Sequence, residues 1–232
     1  MRFNFKYIIL VALTVVVASC KKDTKEAPKA SFKGRLVYNG TPINVEQNQV
    51  PVELYQSGFG KRGAIVGNVT QDGAFSFLLF NGDYKLIIPG VQGPFRWNQT
   101  GATRDSLSVN ISGDKTIDLE VTPYYLINDV KYSVSGRAVT AAFSVNKIIT
   151  DANARDIERV TLYVNKTQFV SSNGDENVAN NGIAGSAVTG TVNLTATVPA
   201  LTPSQGYVFA RVGLKIAGVD DMIYSPLQKI SL

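Results

Sequence analysis

Apolar side chains recur at every second position in ten segments of this chain, and this alternation limits the folds that the chain can adopt. In "VNLTATV" the apolar residues Val192, Leu194, Ala196 and Val198 alternate with polar ones. The same pattern occurs in segments 32–38, 50–54, 75–79, 84–88, 107–111, 117–121, 139–145, 160–164 and 208–216. A period of two predicts strands with one buried face, and such sheets must pack against other sheets. The chain is therefore predicted to be all-β.

The spacing of turns and strands divides residues 31–232 into two domains. Turn sequences such as Asp72-Gly73 and Gly113-Asp114 separate the strands of residues 31–122, which are predicted to form a small antiparallel β-sandwich. After Pro123 the spacing changes, and about seven short strands predict an immunoglobulin-like antiparallel β-sandwich over residues 123–232. "LTPSQGYVFARV" resembles the start of the sixth strand in fibronectin type III domains, so the Tyr207 hydroxyl is predicted to bond back to the preceding turn.

Two segments of the second domain depart from the alternation. Residues 151–159, "DANARDIER", are predicted to form one or two helical turns or a connection between strands. Residues 171–190 are rich in Asn, Gly and Ser and lack periodicity, so they are predicted to form a long mobile loop.

The first 30 residues carry a different pattern, a basic start followed by an apolar run and the only cysteine. Arg2 and Lys6 precede apolar residues 7–18, fewer than the roughly 20 residues needed to span a bilayer. This is the layout of a secretory signal peptide. Val17 to Cys20 resemble the lipobox of bacterial lipoproteins, which implies cleavage before Cys20 and acylation of its thiol. Residues 1–19 are predicted to be the signal peptide and residues 20–30 a flexible tether to the membrane.

The composition argues against an enzyme and against a cofactor. The chain has no histidine, which excludes Ser-His-Asp and Cys-His arrangements and histidine-based zinc sites. Four acidic residues stand beside glycine in turn sequences, where capping of the turn explains them: Asp72, Asp83, Asp114 and Asp175. The spacing of Asp151, Asn153 and Asp156 resembles a calcium loop but lacks the glycine and glutamate of an EF-hand, so Asp151 is predicted to cap a helix. We predict no metal and no catalytic residue.

The charge distribution gives no indication of nucleic acid binding. The chain has 23 Lys and Arg against 18 Asp and Glu, a net charge of +5. Loss of Arg2 and Lys6 with the signal peptide would leave 21 against 18, or +3. Proteins that bind a phosphate backbone often have runs of basic residues interleaved with aromatic ones. This sequence has no such run.

The segment "GPFRWNQTG", residues 93–101, is the principal candidate for binding. It holds the only tryptophan, Trp97, together with Phe95, Arg96 and Asn98. Sugars stack on aromatic rings while amide and guanidinium groups take their hydroxyls, and Trp and Arg also anchor protein interfaces. Three interpretations stay open: packing against the second domain or over the end of the sandwich, a protein partner, and a glycan or peptide ligand. Around "QSGFGKRG", Tyr55 and Phe59 form a second candidate.

Six segments resemble a known family in their order and spacing. They are "GRLVYNGTPI" (34–43), "VELYQ" (52–56), "QDGAFSF" (71–77), "FNGDYKL" (80–86), "GPF" (93–95) and "VTPYY" (121–125). With the lipobox and "YVFARVGLK", the chain is similar to the two-domain surface lipoproteins of Bacteroidetes collected as the domain of unknown function 3823 family. The resemblance implies a prealbumin-like or carboxypeptidase-regulatory-like first sandwich and a fibronectin type III-like second one, joined at "VTPYY".

The resemblance also implies a location and a role, because this family accompanies outer-membrane nutrient importers of the starch-utilisation type. It implies display on the outer membrane beside an importer and its substrate-capturing lipoprotein. Lys21, Lys22 and Asp23 follow the cysteine in place of an acid-rich cluster, which leaves a periplasm-facing orientation open. The predicted function is a lipid-anchored, non-catalytic accessory protein of a nutrient uptake system that binds a glycan, a peptide or the importer. The alternative is a purely structural protein–protein adaptor.

Overall fold

The computed structural model describes residues 26–58, 63–89, 93–97 and 106–232, and the predictions for Cys20, Phe59 and Asn98 lie outside these ranges. The first part of the chain contains strands β1 (Ala30–Tyr38), β2 (Thr41–Pro42), β3 (Asn44–Val45), β4 (Pro51–Gln56), β5 (Ile65–Asn68), β6 (Ala74–Leu79), β7 (Gly82–Ile87), β8 (Phe95–Arg96), β9 (Leu107–Ile111), β10 (Lys115–Glu120) and β11 (Thr122–Pro123). The second part contains β12 (Tyr125–Ser135), β13 (Ala138–Lys147), β14 (Ile157–Asn165), β15 (Ala179–Ala184), β16 (Thr191–Thr197), β17 (Tyr207–Ile216), β18 (Ile223–Tyr224) and β19 (Gln228–Ser231). Short 3-10 helices occur at Gly174–Glu176 and Gly185–Ala187.

The first sandwich is built from two four-stranded sheets. In one sheet, β1 lies between β10 on one side and β6 and β2 on the other, while the second sheet has the order β5-β4-β7-β9. The rings of Phe32, Phe75 and Phe77 form the aromatic part of its core, with centroids 5.8 to 6.3 Å apart. The β1–β10 pair is parallel, whereas the other strand pairs of the described residues are antiparallel.

The second sandwich pairs a β12-β13-β16 sheet with a sheet in which β14 lies between β15 and β17. Five alternating residues of β17 are fully buried, as the period-two pattern predicts: Val208, Ala210, Val212, Leu214 and Ile216. The described residues contain no α-helix. The predicted fold class, two β-sandwich domains, is confirmed.

The structure corrects the prediction for Tyr207. Its side chain is 36% exposed, and its ring packs against Phe209 and beneath the Lys229 ammonium, 4.0 Å from the ring centroid. The residue lies on the face of β17 opposite the buried row, and within the described ranges its hydroxyl makes no hydrogen bond to the preceding turn. The side chain of Gln205 instead closes that turn by donating hydrogen bonds to the carbonyls of Tyr207 and Lys166.

The prediction of a loop throughout residues 171–190 is also wrong. This segment contains strand β15, which pairs with β14 from Ala179↔Val164 to Ala184↔Arg159. The side chain of Asn177 donates to the carbonyls of Ser171 and Asn173 and thereby holds the approach to the strand. An edge strand takes its stability from backbone pairing, which leaves no hydrophobic alternation in the sequence.

Residues 151–154 form a turn where the sequence predicted a capped helix. The Ala154 amide donates to the Asp151 carbonyl, and the Asp151 carboxylate accepts from the Asn153 amide at 2.8 Å. The carboxylate therefore caps a single turn, and the chain then passes directly into β14. The alternative of a connection between strands is the correct one.

The two domains share a sheet. Strand β3 of the first domain pairs with β18 of the second through Val45↔Ile223 and Asn44↔Tyr224. At the other side of the junction, β8 pairs with β11 beside the link between domains. Backbone hydrogen bonds therefore fix the orientation of one domain relative to the other.

A buried arginine reinforces this junction. Arg211 on β17 is 1% exposed, and its guanidinium donates to the Val170 carbonyl and, at 2.9 Å, to the Val45 carbonyl of the first domain. The guanidinium carbon lies 3.8 Å from the ring centroid of Tyr224. The Tyr224 hydroxyl in turn donates to Glu46 at 3.0 Å. Burial lowers the pKa of Arg211 only to about 10, so the side chain stays charged at neutral pH.

Asp221 makes the stability of this junction dependent on pH. Its Oδ2 is buried without a hydrogen-bond partner among the described residues, and burial, then Glu46, raise its pKa from 3.8 to about 7. The native state thus binds this proton more tightly than the unfolded chain does, so protonation of Asp221 stabilises the native state. This contribution to the free energy of unfolding is complete below about pH 4 and is lost as the pH rises through 7.

We therefore expect Asp221→Asn to raise the free energy of unfolding at pH 8 by about 1–2 kcal/mol, less than the full pKa shift would give because water reaches part of the carboxylate. Denaturant titrations at pH 5 and pH 8 measure the effect. Asp220→Asn is the matched comparison at an exposed neighbour; because Asp220 raises the pKa of Asp221 less than Glu46 does, this variant should give only a small effect in the same direction. An equal effect of Asp221→Asn at both pH values would contradict this assignment.

Candidate functional site

A cavity of about 210 Å³ lies at the junction of the two domains. Residues of both domains line it. The first domain contributes Ile88, Pro89, Gly93, Phe95, Arg96 and Trp97, and the second contributes Tyr124, Asn153, Arg155 and Val219. Clefts between domains are common places for ligand sites. The cavity includes three of the residues that the sequence singled out.

The aromatic wall of the cavity is largely buried. Phe95 is 7% exposed and Trp97 5% exposed, and both belong to the continuous hydrophobic core. β8 fixes them through pairing of Phe95 with Pro123 and of Arg96 with Thr122. The indole is therefore a rigid wall of the cavity and not an exposed platform on the surface.

The polar side of the cavity comes mainly from the turn before β14. Asn153 and Arg155 are exposed, and the carbonyl of Arg155 accepts a 2.6 Å hydrogen bond from the Tyr125 hydroxyl. The Asn153 amide and side chain hold the Asp151 carboxylate and lower its pKa, and Arg96 lowers it further from across the domain junction. Arg96 and Asp151 thus interact electrostatically between the two domains.

The guanidinium of Arg155 lies against Gly218. A Cβ at position 218 would stand 2.9 Å from Nη1 of Arg155, and the backbone of Gly218 has a φ of +68°, which favours glycine. A side chain at position 218 would therefore touch the guanidinium of Arg155 where it lies in the structure.

The structure brings Phe95, Arg96 and Trp97 together but places Tyr55 elsewhere. Tyr55 lies on β4, where its hydroxyl donates to Glu53 at 2.7 Å, and it does not line the cavity. Sequence reasoning missed Asn153 and Arg155 as cavity residues. Their segment predicted only a cap or connection, and no local pattern indicates that it faces a tryptophan about 55 positions earlier in the chain.

The acidic residues give no metal site in the part of the chain that the structure covers. No group of three or more Cys, Asp or Glu side chains lies close enough to hold a metal ion within the described ranges. The helices in those ranges are also too short to cross a bilayer.

Comparison with known families matches both parts of the chain. Residues 30–122 match the description "Protein of unknown function (DUF3823) N-terminal domain". Residues 125–229 match "Domain of unknown function (DUF3823_C)". Curated proteins provide no match.

Solved structures show the same two-domain arrangement. A DUF3823 family protein from Parabacteroides merdae is 36% identical, with a TM-score of 0.77, over 89% of this chain and 100% of that chain. A second, from Bacteroides ovatus, is 27% identical with a TM-score of 0.75, over 88% and 100%. A Bacteroides uniformis structure described as "a putative carbohydrate binding protein" is 17% identical with a TM-score of 0.65, over 88% and 100%, and shows the fold alone. The two matched domains together span nearly all of the described residues, and the chain belongs to the DUF3823 family.

Proposed function

We propose that this protein is a lipid-anchored, non-catalytic accessory protein of an outer-membrane nutrient uptake system, and that it binds a saccharide in the cavity between its domains. The observation that carries the proposal is the composition of that cavity. Its lining joins the rings of Phe95 and Trp97 to the guanidinium groups of Arg96 and Arg155 and the amide of Asn153. Aromatic carbon surface beside several hydrogen-bonding groups is the combination that a sugar ring requires.

The size of the cavity supports a small part of a saccharide as the ligand. Its volume of about 210 Å³ is below the roughly 300–1,000 Å³ of pockets that enclose drug-sized ligands. One sugar unit at the end of a chain is therefore a better match than an internal stretch of polymer. The rest of the saccharide would extend into solvent.

Rigid positioning of the lining residues also supports ligand binding. β8 is paired with β11, and the Arg155 backbone is held by Tyr125. A ligand that enters this cavity would meet groups already in place, which lowers the ordering entropy that binding must overcome. The Bacteroides uniformis neighbour shares only the fold, so the proposal rests on the cavity and not on that similarity.

Blocking the cavity tests the proposal independently of any one hydrogen bond. Asn153→Trp places a large ring at an exposed lining position, and we expect it to weaken saccharide binding at least about tenfold, or 1.4 kcal/mol. The matched control is Ala152→Trp, which adds the same ring at an exposed neighbour that does not line the cavity. Calorimetric titration of the full protein in detergent with a panel of short neutral and charged oligosaccharides measures both.

Two results would contradict the proposal. One is that the wild-type protein binds no oligosaccharide of the panel. The other is that Asn153→Trp binds its saccharide as tightly as Ala152→Trp does, because the ligand would then lie outside the cavity.

One observation favours the second candidate function, an adaptor that binds only neighbouring proteins. β5 is the last strand of its sheet, and Ile65 and Val66 on it are 41% and 58% exposed. Exposed edge strands with apolar side chains pair readily with other chains. Copurification of an importer from solubilised membranes, without measurable saccharide binding, would favour the adaptor.

A further inference from the structure

We infer that the sugar unit held in the cavity between the domains carries a negative charge, as a carboxylate or a sulfate ester. This inference rests on the proposed saccharide function and specifies the class of saccharide. It follows from the charges around the cavity, from the way in which the two arginines are held and from the partners that they lack.

The charged residues that line the cavity are both positive. Arg96 and Arg155 are lining residues, whereas no Asp or Glu of the described part of the chain is one. Asp151 interacts electrostatically with Arg96, but its carboxylate already accepts two hydrogen bonds from Asn153 at 2.8 and 3.1 Å. The described lining of the cavity therefore combines positive charge with a hydrophobic wall.

Both guanidinium groups keep their hydrogen-bonding capacity available. Within the described ranges, neither forms an ion pair or donates a hydrogen bond, in contrast to Arg35, which makes two bonds to Asp118 at 3.0 Å. A guanidinium presents five donors in a planar fork that matches two oxygens of a carboxylate.

The two arginines come from different domains, and the backbone of each is held in place. Arg96 belongs to β8, which pairs with β11, and Arg155 follows the turn whose backbone Tyr125 holds. Two like charges that face one cavity repel each other, and an anion between them relieves that repulsion. A neutral sugar would leave the repulsion in place.

Three ligands of matched length separate the possibilities: an oligogalacturonate, its methyl ester, and a sulfated galactan oligosaccharide. The ester retains the shape of the oligogalacturonate and removes its charge. We expect the full protein in detergent to bind the better of the two anionic ligands at least about tenfold more tightly than the ester at low salt, with the difference shrinking as salt is added. A preference for the galacturonate identifies a carboxylate as the anion, and a preference for the sulfated ligand identifies a sulfate ester.

Single substitutions locate the charge selectivity. Arg96→Gln and Arg155→Gln should each reduce the preference for the anionic ligand over the ester by about tenfold, because each removes a charge-assisted hydrogen bond. Arg159→Gln is the matched control, since Arg159 pairs with Glu158 and does not line the cavity. Guanidine-induced unfolding of each variant shows whether its fold is retained.

The outcomes distinguish this inference from the function on which it rests. Equal or tighter binding of the ester, or unchanged selectivity in both arginine variants, overturns the inference. If the ester binds and Asn153→Trp blocks it, the saccharide function stands without the charge preference. If none of the three ligands binds and no other oligosaccharide does, the proposed function fails as well.

Discussion

Replacement of Arg211 by alanine should lower the free energy of unfolding by about 3–5 kcal/mol. The substitution leaves the Val45 and Val170 carbonyls without their donor in a buried region and opens a cavity beneath the Tyr224 ring. At roughly 2–4 °C per kcal/mol for a chain of this size, the melting temperature should fall by about 6–20 °C. Differential scanning calorimetry and guanidine titration measure the two quantities.

A matched arginine separates the buried contacts from the loss of a charge. Arg137 is exposed and donates to a single carbonyl, that of Val198, at 2.8 Å. We expect Arg137→Ala to change the free energy of unfolding by about 1 kcal/mol. If the two alanine variants were equally stable, Arg211 would not be holding the domains together.

Gly73→Ala should destabilise the first domain by about 3–4 kcal/mol, the sum of a backbone cost and a steric cost. Gly73 has a φ of +82°, which disfavours an L side chain by about 1–2 kcal/mol. A Cβ there would also lie 2.2 Å from the carbonyl oxygen of Ile43, so the backbone next to β3 would have to move. Because β3 pairs with β18, the shift would reach the junction between the domains.

Gly40→Ala is the control for the backbone contribution alone. Gly40 has a φ of +74°, but a Cβ there meets nothing within 4 Å. We expect this variant to lose about 1–2 kcal/mol. Thermal unfolding of both variants gives the comparison, and a Gly73→Ala variant no less stable than Gly40→Ala would show that the contact with Ile43 relaxes freely.

The strands could be predicted because their signal is local. The alternation of apolar and polar residues along β16 and β17 predicts which side chains are buried. Leu194 and Val212 are buried as this pattern predicts. The Asp72-Gly73 turn was visible for the same reason. Its close approach to Ile43 was not, because that contact depends on where a different loop passes.

Features that depend on distant contacts could not be predicted. Arg211 donates to a carbonyl 166 positions away, and nothing near it in the sequence distinguishes it from a surface arginine. The parallel pairing of β1 with β10 leaves the same alternation as antiparallel pairing does. β15 has no hydrophobic pattern, since its stability comes from backbone pairing with β14.

The candidate site was predictable in part. Phe95, Arg96 and Trp97 stood out by residue type, and they lie at the cavity. The other half of the lining, Asn153 and Arg155, comes from a turn whose composition is ordinary for a surface connection. Only the arrangement of two domains gives that turn a role.

The pairing of β3 with β18 has a consequence for how the protein is made. Glu46, next to β3, bonds to Tyr224 178 positions later, so a ribosome releases the first domain before strand β18 has been synthesised. Until then, the outer edge of β3 is an open template for any other extended peptide. Contacts of such long sequence separation also form slowly. The junction between the domains can therefore be completed only after nearly the whole chain has been made.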